Sequence, residues 1–289
     1  MPSYKTHSIH IDKCMPYIDK RIDLNNEDLK VFSFGPDSLV LSDYFVFNMQ
    51  HNNGCKYFFL YLIQTIKNNH ELDNNELISF LYGQISHYIL DTSFHPYIYY
   101  ITENIKRNNI INGHLQLELL LDKYIMDKYN INNKNYFKKK KIENNKTRKI
   151  IDELYQKVYN VPLASLKYDI GINLFRTFEE NRFNNNLNSL YNTLSANEIS
   201  YSYDNDLFNN YLNQQRELWL NPITGENHYE SIQEIWNNSV MLFIETIEEV
   251  NKHLYDDKPL DSEILLSNLS YDTALDSQIK KKFIYTKKY

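Results

Sequence analysis

One stretch of the 289-residue chain restricts its fold more than any other. The stretch, GQISHYILDTSFHP at residues 83–96, sets His87, Asp91 and His95 four residues apart inside an apolar and aromatic run. Four residues are about one helical turn, so the pattern predicts a helix near residues 74–94 with His87 and Asp91 at the edge of its apolar stripe. An unpaired carboxylate facing the core is costly. A divalent cation bound by His87 and Asp91 would neutralise it.

A second cluster favours this metal interpretation. Taken alone, His87 could be a hydrogen-bonded core histidine and Asp91 could pair with a buried lysine or arginine. His114 and Glu118 are also four residues apart, however, on the apolar side of the next predicted helix, near 112–129. Two inward-facing His/carboxylate pairs on neighbouring helices are typical of a metal site in a helical bundle.

The composition indicates an all-α protein. Only 6 Gly and 7 Pro are present, too few for an all-β chain with many turns, and 42% of the residues are hydrophobic. After the Asn/Lys-rich segment 130–147, which is expected to be a solvated loop, the periodicity continues. The further predicted helices lie near 56–67, 148–159, 162–181, 184–194, 204–218 and 230–253, and the tail from Tyr255 is expected to be extended.

Charge and hydropathy exclude several classes of protein. The net charge of −6 is spread along the chain, which argues against binding to duplex nucleic acid. No apolar run reaches the roughly 18 to 20 residues needed to span a bilayer. The first residues contain no apolar signal core, so we expect a cytoplasmic protein, or a secreted one if a leader has been removed. Cys14 and Cys55 are then expected to be free thiols.

Three further candidate ligands precede the central stretch. His7 lies in a short amphipathic segment, Asp37 follows a Gly-Pro turn, and His51 is expected just before the helix at 56–67. Each signal alone is weak, since a Gly-Pro-Asp sequence is usually only a turn. The aromatic residues upstream of His51 could line a substrate pocket or belong to the core; they are Tyr44, Phe45 and Phe47.

Taken in order, these residues resemble the zinc-dependent phospholipase C family, whose fold is shared with the single-strand-specific zinc nucleases. The matching elements are Thr6-His7, Gly35-Pro36-Asp37, His51, His87-xxx-Asp91-xxx-His95-Pro96 and His114-xxx-Glu118. Segments 219–226 and 268–273 also resemble bacterial members. The resemblance implies one multi-helix all-α domain, with a ligand-bearing half at 1–129, the loop at 130–147, and supporting helices and tail at 148–289.

The resemblance also implies a set of zinc ligands. One zinc would be held by Asp37, His51, His87 and Asp91, a second by His95, His114 and Glu118, and a third by His7, the N-terminal residue and a bridging Asp91. Family members use an N-terminal Trp, which this sequence lacks. Pro2 lies five positions before His7, the gap found in the nuclease branch, so Pro2 could bind through its amine and carbonyl or the third site is weakened. We therefore expect two to three zinc ions.

The implied function is phosphodiester hydrolysis by metal-activated water, with Asp37 orienting or deprotonating that water. The substrate would be a phospholipid, giving diacylglycerol and a phosphorylated head group, or another phosphodiester, with peripheral contact to a membrane surface. One alternative is a single-strand nuclease or phosphomonoesterase on the same fold. Another is a non-catalytic, zinc-stabilised helical interaction protein.

Two residue clusters remain open at the sequence level. His7, His10 and Cys14 are spaced for a separate metal site, although no paired cysteine supports it. Asp122, one turn after Glu118, could accept a hydrogen bond from a ligand histidine or form a salt bridge on the surface. The remaining histidines lie in polar surroundings and are expected on the surface; they are His70, His228 and His253.

Overall fold

The computed structural model describes residues 4–19, 22–103, 113–131, 141–181 and 211–287. Within these ranges the protein is α-helical, as predicted, with one short two-stranded antiparallel ribbon. The α-helices are α1 (Tyr4–Cys14), α2 (Asn26–Phe32), α3 (Tyr44–Asn52), α4 (Lys56–Asn68), α5 (Asn75–Thr102), α6 (Gly113–Lys128), α7 (Asn145–Tyr159), α8 (Ala164–Asn181), α9 (Ile232–Tyr255) and α10 (Glu263–Leu266). The strands are β1 (Trp219–Leu220) and β2 (Asn227–His228), and the longer of two 3₁₀ helices is Gly35–Leu39.

Helix α5 lies at the centre of the fold. Nearly all its side chains are buried, and α1, α2, α4, α6 and α9 pack against it. The side chain of Asn74 caps its N-terminus by accepting a hydrogen bond from the Leu77 N–H at 3.3 Å. A helix that is apolar on all sides is stable only when it is surrounded by other elements. The polar residues of α5 are therefore forced into the interior of the protein.

The helix continues beyond the predicted end near residue 94, through Pro96, to Thr102. Proline has no N–H and removes one bond of the helical ladder, which normally ends a helix. Here the following turn buries Ile98 and Ile101 against Leu117 of α6 and other apolar residues. The burial of these side chains offsets the lost hydrogen bond, and tertiary packing overrides the local signal.

The buried apolar residues form two clusters that meet along α5. The larger cluster includes Ile85, Tyr88 and Ile89, and the smaller one includes Leu90 and Phe94. The junction between the clusters falls between His87 and His95. The candidate ligands therefore lie at a polar seam between two apolar cores.

Most of the predicted helices lie where expected, but one prediction is wrong. Residues 212–218, predicted to be helical, form turns and extended chain. The side chain of Asn213 accepts from the Glu217 N–H and donates to the carbonyls of Glu217 and Glu230, which fixes a turn instead. The predicted helix at 184–194 and residues 204–210 lie outside the described residues. The loop predicted to extend to residue 147 ends earlier, because Asn144 caps α7.

Two further predictions concern the membrane and the cysteines. Across the described part of the chain, every helix is too short or too polar to cross a bilayer. Cys14 and Cys55 are free, as predicted, and both are buried.

Candidate metal centre

The centre begins with the pair on α5. His87 Nε2 lies 3.1 Å from Asp91 Oδ2, and both side chains are fully buried. His87 Nδ1 lies 3.0 Å from the Ser33 carbonyl oxygen. A carbonyl can only accept, so Nδ1 must carry the proton, and the lone pair of Nε2 points at the cluster. The ring is thus held in the form that binds a metal.

Helix α1 brings His7 to the same point. Its ring stacks on that of His87 with centroids 4.0 Å apart, and its Nε2 lies 3.3 Å from Asp91 Oδ1. The other carboxylate oxygen, Oδ2, faces His87 and also lies 3.5 Å from His51 Nε2. The two oxygens of Asp91 therefore face different histidines, the arrangement that a bridging carboxylate requires.

Asp122 fixes the start of α1. Its Oδ1 accepts from the Thr6 N–H at 2.9 Å and from the Thr6 hydroxyl at 2.6 Å, and its side chain is buried. The surface ion pair proposed from the sequence is therefore wrong, because these long-range hydrogen bonds hold Asp122 in the interior. The hydrogen bonds described here join it to Thr6, the residue before His7.

Asp37 and His51 complete the set of candidate ligands around Asp91. Asp37 lies in the 3₁₀ helix Gly35–Leu39, with its Oδ1 3.3 Å from His51 Nε2 and 3.8 Å from His87 Nε2. His51 precedes α4 as predicted, but it also lies in the last turn of α3, a helix that was not predicted from the sequence and that Asp43 caps. His51 Nδ1 lies 2.9 Å from the carbonyl oxygen of Phe47, one turn earlier. This contact again directs Nε2 inward.

A second set of ligands is formed by His95, His114 and Glu118. His114 Nε2 lies 2.7 Å from Glu118 Oε1, and one ligand atom of each of the three residues falls within 4.8 Å of the others. His95 Nδ1 lies 2.6 Å from the carbonyl oxygen of Tyr271, so its Nε2 is available. His114 is partly exposed, whereas His95 is fully buried. The centre therefore approaches solvent on the α6 side.

The hydrogen bonding of these residues fits a bound cation. Eight predicted side-chain ligands form three groups, each within 4.8 Å, and two of the groups share His87. Several of their ligand atoms are buried without a hydrogen-bond partner among the described residues; they are His7 Nε2, Asp37 Oδ1, His51 Nε2, His87 Nε2, both oxygens of Asp91, and His95 Nε2. Buried polar atoms are nearly always satisfied. Imidazole and carboxylate are ordinary zinc ligands, so zinc would satisfy these atoms together.

The pKa values of the candidate ligands also fit a bound cation. Burial, with help from His87, lowers the pKa of His7 to about 4, and burial lowers that of His95 to about 4, so both imidazoles are neutral at pH 7. Burial alone would raise the pKa of Asp91, but His87 and His95 outweigh it and keep that pKa well below its usual value. Burial would lower the pKa of His51, yet Asp37 and Asp91 raise it to about 10. Without metal, an imidazolium must therefore balance the buried carboxylates.

The C-terminal tail contributes residues that the sequence did not assign to the site. Asp272 is mostly buried and pairs with Lys281 at 2.7 Å, and Lys281 also donates to the Tyr99 hydroxyl. Burial raises the pKa of Asp272, but nearby His95, His51 and Lys281 lower it overall. The resemblance of segment 268–273 to family members was the one sequence signal for this part of the tail.

The other candidates fall into three cases. Phe47 lies against the His51 ring at 4.2 Å, whereas Tyr44 and Phe45 are exposed, so the core alternative is wrong for these two. His10 contacts the hydroxyls of Ser86 and Ser239 and belongs to none of the metal-ligand groups found in the described ranges. Pro2 lies outside the described residues.

Comparisons with known proteins support this interpretation. Residues 5–168, more than half of the chain, match the family described as zinc dependent phospholipase C, and this range contains all eight candidate side-chain ligands. Neither the curated proteins nor the solved structures compared with the chain give a match. The protein belongs to the zinc-dependent phospholipase C family.

Proposed function

We propose that the protein is a zinc-dependent phosphodiester hydrolase of the phospholipase C type, which releases diacylglycerol and a phosphorylated head group from glycerophospholipids. The observation that carries the proposal is the set of buried imidazole nitrogens and carboxylate oxygens that face one another and have no hydrogen-bond partner in the part of the chain that the structure describes. Membership of the family supports a phospholipid as the substrate.

The residues have distinct roles in this proposal. His7 and His95 are neutral at pH 7 and offer Nε2 lone pairs. Asp91 offers Oδ1 on the side of His7 and Oδ2 on the side of His87. Two or three zinc ions, when bound, would stabilise charge on the phosphoryl oxygens and lower the pKa of a water molecule. The residue groups described above are the proposed sites for these ions.

Asp37 is the proposed general base. Its Oδ1 lies between His51 and His87, and a carboxylate in this position can accept a proton from an attacking water. The oxygen of this water would bond to phosphorus as the bond between phosphorus and the glycerol oxygen breaks. The proton that Asp37 accepts would then be transferred to the glycerol oxygen, which becomes the hydroxyl of diacylglycerol. The turn that carries Asp37 is fixed by the Asp37 N–H, which donates to the Phe34 carbonyl at 3.0 Å.

The test uses zinc-loaded protein and short-chain phosphatidylcholine below its aggregation concentration. We expect release of phosphocholine, and a loss of about 100-fold or more for Asp37→Asn, since general bases typically contribute that much. Asp127→Asn is the matched control, because Asp127 is exposed and, among the described residues, pairs with Lys123 one turn earlier on α6. The zinc content of Asp37→Asn then separates a role as base from a role as ligand.

Two outcomes would contradict the proposal and indicate a different function. Cleavage of single-stranded DNA without cleavage of phospholipid would indicate a nuclease on the same fold. Full zinc content with no hydrolysis of either substrate would indicate a non-catalytic zinc-stabilised protein.

A further inference from the structure

An exposed apolar surface lies beside the candidate metal centre. It is formed by one face of α8 and by the start of α3, and we call it the α3–α8 surface. Its six side chains are between 36% and 67% exposed, which is unusual for large apolar residues that adjoin one another. They are Leu163, Leu166, Ile170, Leu174, Tyr44 and Phe45.

The spacing on α8 makes these side chains one stripe. Leu163, Leu166, Ile170 and Leu174 follow one another at intervals of three or four residues, so they share one helix face. The opposite face buries Tyr168 and Ile172 in the core. Helix α8 is therefore apolar on both sides, but only one side has a partner among the described residues.

A salt bridge connects the stripe to α3. Lys167 Nζ, on the exposed side of α8, lies 2.7 Å from Asp43 Oδ2, and Asp43 directly precedes Tyr44 and Phe45. Because the bridge pairs the charges of Lys167 and Asp43, the surface has little net charge of its own. Its attraction for a partner would be apolar rather than electrostatic.

The surface leads directly to the metal centre. The Tyr44 ring lies 5.5 Å from the Phe47 ring, which in turn lies 4.2 Å from the ring of His51. Helix α8 also packs against the turn that carries Asp37, so closely that a Cβ on Gly171 would overlap the Ser38 carbonyl. A partner that contacts Tyr44 would be separated from His51 by one side chain, Phe47.

Leu163 is a poor choice for the fold alone. Its φ is +56°, a left-handed conformation that is costly for leucine, and its carbonyl accepts the first hydrogen bond of α8, from Lys167. Gly or Asn would suit this position better, since both adopt the left-handed conformation more readily and are accepted as N-caps. At 59% exposure, Leu163 gains little from burial in the core. An apolar side chain here is better explained by a contact outside the folded chain.

We propose that the α3–α8 surface inserts into the interface of a phospholipid bilayer and holds the metal centre against its substrate. The inference rests on the proposed function, since a phospholipase must take its substrate from a lipid surface. Aliphatic and aromatic side chains beside a paired charge suit the boundary between head groups and acyl chains. The protein's net charge of −6 disfavours anionic lipids, so we expect binding to zwitterionic vesicles that is insensitive to salt.

The binding test uses vesicles of dioleoylphosphatidylcholine and the Asp37→Asn protein, so that the lipid is not consumed. We expect co-sedimentation in low and high salt, and a loss of about tenfold or more when Ile170→Asp is added, because a charge in the apolar boundary is unfavourable. Leu166→Asp should act in the same way. Met241→Asp, at a somewhat more exposed position on α9, is the matched control and should bind normally.

The activity test uses proteins with Asp37 intact. Ile170→Asp should lower hydrolysis of vesicle phosphatidylcholine by about tenfold and leave hydrolysis of monomeric short-chain phosphatidylcholine unchanged. Equal loss on both substrates, or unchanged vesicle binding, would overturn the proposal. So would a dimer, detected by light scattering, that Ile170→Asp dissociates. If no phospholipid is cleaved at all, the proposed function is wrong. The binding test would still show whether the α3–α8 surface binds the bilayer.

Discussion

Gly35 lies directly against the imidazole ring of His87, so that a Cβ on Gly35 would be 2.6 Å from His87 Cδ2. Its φ is +53°, in the left-handed region that glycine adopts without strain. Two separate requirements therefore select glycine at this position. The same turn places Asp37, two residues later, beside His51 and His87.

We expect Gly35→Ala to lose zinc as well as stability. The methyl group must displace His87, which belongs to two of the ligand groups. Gly225→Ala is the control: its φ is +77°, so it carries similar backbone strain, but its Cβ would meet the Tyr285 ring. Both variants should lose about 1 kcal/mol or more in the free energy of unfolding. Elemental analysis should show zinc loss only for Gly35→Ala, and full zinc content there would contradict the role of the turn.

Asp91→Asn should reduce the zinc content more than any other single substitution in the centre. The two oxygens of Asp91 face His7 on one side and His87 and His51 on the other, and an amide can offer only one oxygen. Asp37→Asn and Glu118→Gln serve as comparisons, because one oxygen of each faces the ligand histidines: Oδ1 of Asp37 faces His51 and His87, and Oε1 of Glu118 faces His114. Zinc loss in Asp91→Asn no greater than in these variants would refute a bridging role.

The ligand-bearing part of α5 was predictable because its signal is local. His87, Asp91 and His95 repeat at one-turn spacing within an apolar run, so both the helix and its burial follow from one short stretch. His114 and Glu118 follow the same rule on α6. Short-range periodicity thus revealed both ligand pairs without knowledge of the tertiary contacts.

The contacts that orient the ligands were not predictable, because most of their acceptors are backbone carbonyls. His95 is held by the carbonyl of Tyr271, 176 residues away, and His87 by that of Ser33. Every residue has a carbonyl, so no residue type marks these positions. The bond from Thr6 to Asp122 spans 116 residues and has no periodic signal either. Such contacts appear only once the helices are packed.

Asp122→Ala should weaken the attachment of α1 and, through it, the position of His7. The substitution leaves the Thr6 N–H and hydroxyl without their buried acceptor, which we expect to cost about 1 to 3 kcal/mol in the free energy of unfolding. Asp127→Ala on the same helix removes only an exposed pair with Lys123 and should cost less than about 1 kcal/mol. Zinc titration should show weaker binding of one ion in Asp122→Ala alone. Equal affinity in the two variants would show that α1 is held by its apolar face.

The last prediction concerns His10, which is buried but is not among the candidate ligands. Its ring lies between the Ser86 and Ser239 hydroxyls and packs edge-on against Trp236. Burial, with a smaller contribution from His7, lowers its pKa from 6.5 to about 3. Between these pH values the unfolded chain binds a proton at His10 that the folded chain does not bind. The contribution of His10 to stability is therefore complete above pH 6.5 and is lost as the pH falls toward 3.

Urea unfolding of the zinc-free protein in chelator, at several pH values between 4 and 6, tests this prediction. The wild-type free energy of unfolding should fall as the pH is lowered, with His7 and His95 adding to the slope because burial lowers their pKa values to about 4. His10→Gln should lower stability at every pH but reduce the slope by about 1.4 kcal/mol per pH unit, the value for one proton. Parallel curves for the two proteins would mean that His10 is protonated in the folded state, contrary to its burial between two hydroxyls.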